Sequence, residues 1–304
     1  MKRYDLVIVG GGPGGLAAGI YAARGMVNCV LLEKGLPGGQ MLNTDEIENY
    51  PGFESILGME LSQKMEAQAR KQGLQIETAD VQKIRLDGKE KVIITDGEEY
   101  RAKAVIVATG GLPKKLGLKG EKEFAGKGVS YCATCDGAFF KGQELVVIGG
   151  GDSAVQEGDY LTRFASKVYL VHRRDELRAS KVLQKRFIDN PRTEVLWSTI
   201  PIEIYGGRTV KGIRLKSVKT GEEFNRECRG VFIYVGFLPN SDLFEDEIEK
   251  DENGFLIVNR EMKTSLPGVF AVGDVISKPV RQIAAAVGEG ATAEHFAEHY
   301  IANY

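Results

Sequence analysis

The chain has 304 residues, of which 43% are hydrophobic and 27% charged, a composition that excludes a disordered chain and suits two domains of ordinary size. Forty basic residues against forty-two acidic leave a net charge of −2, with no basic excess to attract nucleic acid or an anionic membrane surface. No apolar run reaches the ~18 residues of a membrane span. The short apolar stretch at residues 6–9 ends in glycines without a cleavage pattern, so it reads as a first strand and not as a signal peptide. The cysteines are Cys29, Cys132, Cys135 and Cys228, with a single close pair. That is no disulfide scaffold, and a cytoplasmic location is expected, where thiols stay reduced unless they do redox work.

In chain order, residues 4–34 read as a strand, a glycine turn, a helix of about four turns and a second strand, which is a βαβ unit. A loop rich in Gly and Pro (residues 35–58) leads to a helix with an apolar stripe at Leu61, Met65 and Ala69. Alternating strands follow at residues 81–86 and 91–95, joined through Asp87-Gly88, and then a buried strand at residues 104–108. Residues 143–173 repeat residues 4–34 without a gap: Gly10 matches Gly149, Gly12 matches Gly151, and Gly15 matches Ala154. The second copy is again followed by alternating segments, at residues 209–218 and 230–235. The end of the chain, VFAVGDV and a helix from about Val280, has no glycine turn of its own and is assigned back to the first domain. The expected architecture is α/β, with two Rossmann-like, three-layer ββα nucleotide-binding domains, the second inserted into the first. Residues 1–112 and 239–304 form one domain and residues 113–238 the other.

Gly10-x-Gly12-x-x-Gly15 follows a strand and opens a helix, as a phosphate-binding turn does. The first glycine permits the tight turn, the second lets backbone approach a pyrophosphate, and the third lets helix pack on strand. The helix N-terminus adds N–H donors. The residue closing the second strand selects the nucleotide. In the first unit it is Glu33, whose carboxylate accepts from a ribose diol and repels a 2′-phosphate. The matching position in the second unit is His172, followed by Arg173, Arg174 and Arg178, which suits the 2′-phosphate of NADPH. Two dinucleotides of different kinds point to FAD in the first unit and NADPH in the second, with hydride transfer between them. Ala108-Thr109-Gly110 and Gly273-Asp274 end strands where open α/β sheets bind ligands, and with Glu33 they ring one long ligand.

Cys132-Ala133-Thr134-Cys135-Asp136 is the other chemical constellation. Two intervening residues permit a small disulfide ring and a lowered thiol pKa. Half a zinc site, a structural disulfide and two inert thiols compete with the redox reading. Asp136 suits a general acid and base that protonates a leaving thiolate and takes the proton back. Cys29 and Cys228 are read as bystanders, and His295 and His299, flanked by glutamates, as a solvated helix face. No metal is expected.

Together these motifs resemble the low-molecular-weight thioredoxin reductases of bacteria and archaea, which are NADPH-dependent flavoproteins. The resemblance spans essentially the whole chain, and CATCDG with HRRDELRA downstream is its most specific part. It implies FAD contacts from Gly10, Gly12, Pro13, Gly14, Gly15, Glu33 and Lys34. Gly38, Gly39, Gln40, Asn49 and Val81 would join them, with Ala108, Thr109, Gly110, Asp274, Arg281, Gln282 and Ile283. NADPH would be held by Gly149, Gly151, Asp152, Ser153 and Ala154 in the turn, and by His172, Arg173, Arg174 and Arg178. The resemblance further implies that Cys135 exchanges electrons with the flavin and that Cys132 attacks thioredoxin, or a thioredoxin-like or glutaredoxin-like protein. It also implies a homodimer. One departure is the polar run at residues 156–160, with Gly158 inside a helix at a cost of around 1 kcal/mol. A dithiol oxidase would lack the basic stretch, and a non-catalytic nucleotide sensor would need neither a flavin pocket nor a dithiol.

Overall fold

The computed structural model describes all residues except 44, 45, 87, 245 and 246, and all of their side chains except that of Glu46. The expected turn at Asp87 lies outside the described residues. The chain divides into two compact units, Met1–Leu112 with Leu238–Tyr304, and Pro113–Phe237.

The first unit begins with β1 (Lys2–Val9), α1 (Pro13–Arg24) and β2 (Cys29–Glu33), then α2 (Gly58–Lys71), β3 (Gln75–Thr78), β4 (Val81–Arg85), β5 (Lys91–Thr95) and β6 (Glu99–Val107). Strands β3, β2, β1 and β6 lie side by side and parallel. Alternation along β1 sorts the core into two faces. Leu6 and Ile8 pack with Leu16, Leu61 and Met65 on the helical side, and Val7 and Val9 with Ile84 and Ile93 on the other. Strand β6 is longer than the sequence suggests because its two halves differ in burial. Residues 99–102 pair antiparallel with β5 and expose every second side chain, whereas residues 104–107 are wholly buried.

The second unit holds β7 (Val129–Ser130), α3 (Ala133–Asp136), β8 (Glu144–Gly149), α4 (Asp152–Leu161), β9 (Lys167–Val171), α5 (Lys181–Asp189) and β10 (Thr193–Leu196). Strands β11 (Thr199–Gly206), β12 (Val210–Ser217), β13 (Glu223–Glu227) and β14 (Gly230–Tyr234) follow. A parallel sheet in the order β7-β14-β8-β9-β10 is accompanied by an antiparallel sheet β11-β12-β13. Leu145 and Val147 of β8 face Val155, Leu161 and Phe187 on the helical side, while Val146 and Ile148 face Ile204, Ile213 and Leu215 of the antiparallel sheet. Helices, parallel sheet and antiparallel sheet make three layers.

Gly158, which weakens α4 by propensity, has a packing reason. A Cβ there would lie 2.9 Å from Cε2 of the fully buried Phe187. Gly158→Ala, a change that usually stabilises a helix, is therefore expected to destabilise this unit by about 1–3 kcal/mol. Urea unfolding of the two proteins measures it, and a stabilised variant would show that the ring moves aside without cost.

The chain then returns to the first unit with β15 (Val269–Ala271), parallel to β6, and α6 (Ile283–Ala302). Helix α6 begins three residues later than expected, since Gln282 is still extended (φ −134°, ψ 155°) and acts as its N-cap. It crosses α1 at backbone contact: a Cβ on Gly290 would collide with the carbonyl oxygen of Gly14. Glu294 of α6 is buried, and its Oε1 has no hydrogen-bond partner among the described residues. Burial, and then the charge of Glu298 one turn on, push its carboxyl up from 4.5 to about 7. Below the ordinary value the group is protonated folded or unfolded, and nothing is lost. As pH rises towards 7 the unfolded chain releases its proton first, so stability falls and stays lower above it. Glu294→Gln is expected to raise stability by about 2 kcal/mol at pH 8, after allowing for screening, and to change little near pH 4.5. Unfolding free energies at the two pH values check the sign.

Candidate nucleotide sites and dithiol

In the first unit, strands β1, β2, β6 and β15 end at one edge, and the chain turns sharply after β1. Gly10 has φ +107°, and a Cβ on it would strike the carbonyl oxygen of Ala108; a Cβ on Gly15 would strike the carbonyl oxygen of Gly10. These two glycines serve the turn and the helix packing. Gly12 differs, since its missing Cβ faces open space at the N-cap of α1, whose first residues are Pro13 and Gly14. That is the cradle a pyrophosphate needs.

Other elements converge on this edge. Glu33 accepts hydrogen bonds from Gly11 N (2.7 Å) and Gly35 N (2.9 Å). Gly38 N donates to Gly11 O at 2.8 Å, and Gly39 lies against Cα of Gly12, which brings the loop around Gln40 to the turn. Thr109 Oγ1 donates to Asn240 O (2.7 Å) and Asn240 Nδ2 to Thr109 O (2.8 Å), fixing the chain around Gly110, which has φ +66°. Asn49 Nδ2 donates to Gln282 Oε1 at 3.1 Å, joining two expected contacts far apart in sequence, and Ile283 follows as the first residue of α6. Asp274, after β15, is pushed up by burial and pulled back by Lys278, 3.6 Å away, and by Arg281, whose guanidinium lies over the Phe255 ring. Ala79 N donates to Glu33 O, setting Val81 close to the end of β2. Lys34 is turned to Asp80, with which it pairs at 2.8 Å.

The second unit repeats the turn. A Cβ on Gly149 would press on Ala154 Cβ and on the carbonyl oxygen of Tyr234, whereas that of Gly151 would meet nothing. Ser153 is exposed in the first turn of α4, and Asp152 beside it accepts a hydrogen bond from Ser180 N at 2.6 Å. His172 is 7% exposed, and both its ring nitrogens meet backbone carbonyls: Nδ1 lies 2.7 Å from Gly149 O and Nε2 lies 2.8 Å from Glu176 O. Its side chain thus addresses the turn itself. Arg173, Arg174 and Arg178 are exposed, and their guanidinium groups carry no ion pair among the described residues. Three unpaired cations beside an open glycine turn fit a nucleotide with an extra phosphate.

Cys132 and Cys135 are joined in a disulfide with a Cα–Cα distance of 5.3 Å. Cys132 is the residue before α3; its N–H donates to Ser130 Oγ (3.1 Å), and its sulfur lies 3.4 Å from Thr134 Oγ1. Asp136 ends α3, and its N–H donates to Cys132 O at 3.1 Å. Both half-cystines are half-buried, so the pair is held by the fold and still reachable. Cys29 and Cys228 are free and buried, and burial pushes their thiols up to about 11 and about 12, where neither is a nucleophile near neutrality.

Comparison with known proteins gives the same assignment. The family model described as pyridine nucleotide-disulphide oxidoreductase matches residues 4–290. The chain is 50% identical over 303 residues to a thioredoxin reductase of Bacillus subtilis (99% of this chain, 95% of that one), and 48% identical over 302 residues to one of Listeria innocua (99% and 94%). Among solved structures it is similar to thioredoxin reductase from Streptococcus pyogenes (46% identity, TM-score 0.95, 99% of both chains). The Lactococcus lactis enzyme in its FR conformation has 46% identity and a TM-score of 0.69, with 99% of this chain and 100% of that one covered. With the disulfide, the two glycine turns and these matches over nearly its full length, the chain belongs to the pyridine nucleotide-disulphide oxidoreductases, among the thioredoxin reductases.

Proposed function

We propose that the protein carries electrons from NADPH through FAD and the Cys132–Cys135 disulfide to the disulfide of a thioredoxin, or of a thioredoxin-like or glutaredoxin-like protein. The observation that carries this reading is the pairing of a reachable CxxC disulfide with two glycine turns of opposite character, one closed by Glu33 and one bordered by exposed arginines. Bound FAD would accept hydride from the nicotinamide and pass the electron pair to the disulfide. Every other part falls to the chain. Gly12 leaves room for one pyrophosphate and Gly151 for the other, Glu33 offers its carboxylate to a ribose diol, and Arg173, Arg174 and Arg178 offer guanidinium groups to a 2′-phosphate.

Once the pair is reduced, the Cys132 thiolate attacks one sulfur of the partner disulfide, forming a mixed disulfide and releasing the other sulfur as a thiolate, which Asp136 protonates. Cys135 then attacks Cys132, restores the internal disulfide and frees the partner as a dithiol. The balance is NADPH, a proton and one disulfide giving NADP⁺ and two thiols. The dithiol and the arginines belong to one unit and the flavin site to the other. Rotation of residues ~115–236 about the two stretches where the chain passes between the units, Gly111–Lys115 and Gly236–Asn240, would let nicotinamide and dithiol take turns at the flavin. A homodimer in the cytoplasm belongs to the same proposal; among the described residues no helix is long and apolar enough to cross a membrane.

Steady-state NADPH oxidation with and without thioredoxin is the test. Oxidation that needs thioredoxin, by a yellow protein, is the expected result. A yellow protein that oxidises no NADPH but consumes dioxygen with a dithiol would favour the dithiol oxidase, and a colourless protein that takes up no FAD would leave only a nucleotide sensor.

A further inference from the structure

We propose that the Tyr234 hydroxyl is the hydrogen-bond donor that stabilises the Cys132 thiolate once the internal disulfide has opened. The inference deepens the reading above and rests on it. Tyr234 closes β14, and its hydroxyl oxygen is shut off from water and has no hydrogen-bond partner among the described residues. A buried polar group without a partner costs stability, so its presence calls for a partner that exists in another state of the protein.

The strand register brings this hydroxyl to the dithiol. Strand β7 runs parallel to β14 with Ser130 opposite Phe232. Cys132 stands two residues beyond Ser130, and Tyr234 two beyond Phe232. Alternation along β14 puts Tyr234 on the same face as Phe232, the helical side. There both pack in the cluster that holds Ala133, the first residue of α3. The N–H of Ala133 and the carboxyl of Asp136, at the two ends of α3, both act on the hydroxyl. It therefore lies against the turn that the disulfide closes. The Ala133 N–H is itself a donor and leaves the hydroxyl's own hydrogen unused.

The surrounding charges show what that hydrogen serves. Opening the disulfide with one electron pair and one proton yields a thiol and a thiolate. The charged groups acting on the hydroxyl are Glu157 on α4 and Asp136 on α3, both acidic, and β8 brings only Gly149 opposite Tyr234. Carboxylates oppose a further negative charge, and α3, with 4 residues, is too short to supply much of a helix dipole. Hydrogen-bond donors must do this work, because a bond to the charged form favours it. Thr134 Oγ1, 3.4 Å from the Cys132 sulfur, offers one hydroxyl, and Tyr234 offers a second. Burial, and then the charge of Glu157, hold the Tyr234 hydroxyl well above its ordinary value, so it keeps its proton while the thiol gives one up. No proton leaves the tyrosine in the cycle. When Cys135 rejoins Cys132 the charge is gone and the hydroxyl is again without a partner.

The test uses the Cys135→Ser holoenzyme, in which Cys132 is a free thiol and the buried Cys29 and Cys228 do not react near neutrality. The rate of alkylation by iodoacetamide is followed against pH, with and without Tyr234→Phe. Losing a hydrogen bond to a charged group is expected to move the midpoint up by about one pH unit, so that alkylation near pH 7 slows about tenfold. In the otherwise unaltered, oxidised protein, Tyr234→Phe should unfold at no less urea than wild type, because it removes only an unpartnered hydroxyl. A merely structural tyrosine would do the reverse, lowering stability and leaving the alkylation profile in place. An unchanged profile overturns the proposal, and a raised KM for NADPH beside it would give the hydroxyl to the nucleotide instead. A loss of stability in the oxidised protein also overturns it, since the hydroxyl would then have had a partner there. Alkylation needs neither NADPH nor thioredoxin, so its failure leaves the reductase reading standing. That reading fails separately, if the wild-type protein reduces no thioredoxin.

Discussion

Cys135→Ser is expected to abolish thioredoxin reduction, by at least about 10³-fold in kcat/KM, and at the same time to trap the partner on Cys132. The loss follows from the order of steps, since without the second sulfur nothing resolves the mixed disulfide and the internal disulfide cannot reform. Cys132→Ser should lose as much activity and yet form no adduct, because the attacking sulfur is gone. The two variants therefore separate attack from resolution, which equal losses of activity alone would not. Cys29 and Cys228 offer no substitute, being buried with thiols held far above neutrality. A non-reducing gel after incubation with oxidised thioredoxin provides the measurement. An adduct formed by Cys132→Ser and absent from Cys135→Ser would reverse the two roles.

The parts of the fold most legible in the sequence are those where a residue type has one steric purpose. Gly10 and Gly15 lie at the offsets of a phosphate-binding turn, and the backbone leaves room there for nothing larger. The CxxC pair is similar, because two intervening residues bring the sulfurs together wherever the segment folds. Edges and outer layers were harder to read. Strand β13 has the pattern Glu-Phe-Asn-Arg-Glu, in which Phe224 shares the half-buried face with Arg226, whose guanidinium lies over the Tyr169 ring, so the polar alternation is too weak a signal to distinguish it from a loop. Lys34 and Asp152 carry charge at positions suited to a ligand, but their partners, Asp80 and the Ser180 amide, come from segments that local pattern cannot bring near. His172 stands where the repeat predicts, and its ring meets the backbone carbonyls of Gly149 and Glu176. Its ring fills the place where Gly150, the middle glycine of its triplet, would carry a Cβ, a contact that local pattern does not announce.

Changing Arg173 and Arg174 together to alanine is expected to raise the KM for NADPH by about 10²-fold while that for NADH moves less than about twofold. Each guanidinium paired with a phosphate contributes on the order of 1.5–3 kcal/mol, and two such losses at the lower figure give that ratio. The side chains are exposed and carry no ion pair among the described residues, so their removal frees no buried charge and breaks no such pair that holds the loop. The backbone contacts of the loop, Arg178 N to Gly150 O and Ser198 N to Arg174 O, do not depend on side chains and should persist. For the same reason kcat at saturating NADPH should stay near the wild-type value, a loss of binding common to ground and transition states. Exposure adds a second signature. Salt screens such contacts, so the wild-type KM for NADPH should climb with ionic strength, and the double variant should lose most of that dependence. Equal losses for NADPH and NADH would mean that the arginines serve the scaffold and not the 2′-phosphate. An unchanged KM for both would leave Arg178 as the remaining guanidinium on the loop, and Arg178→Ala would then have to carry the whole preference.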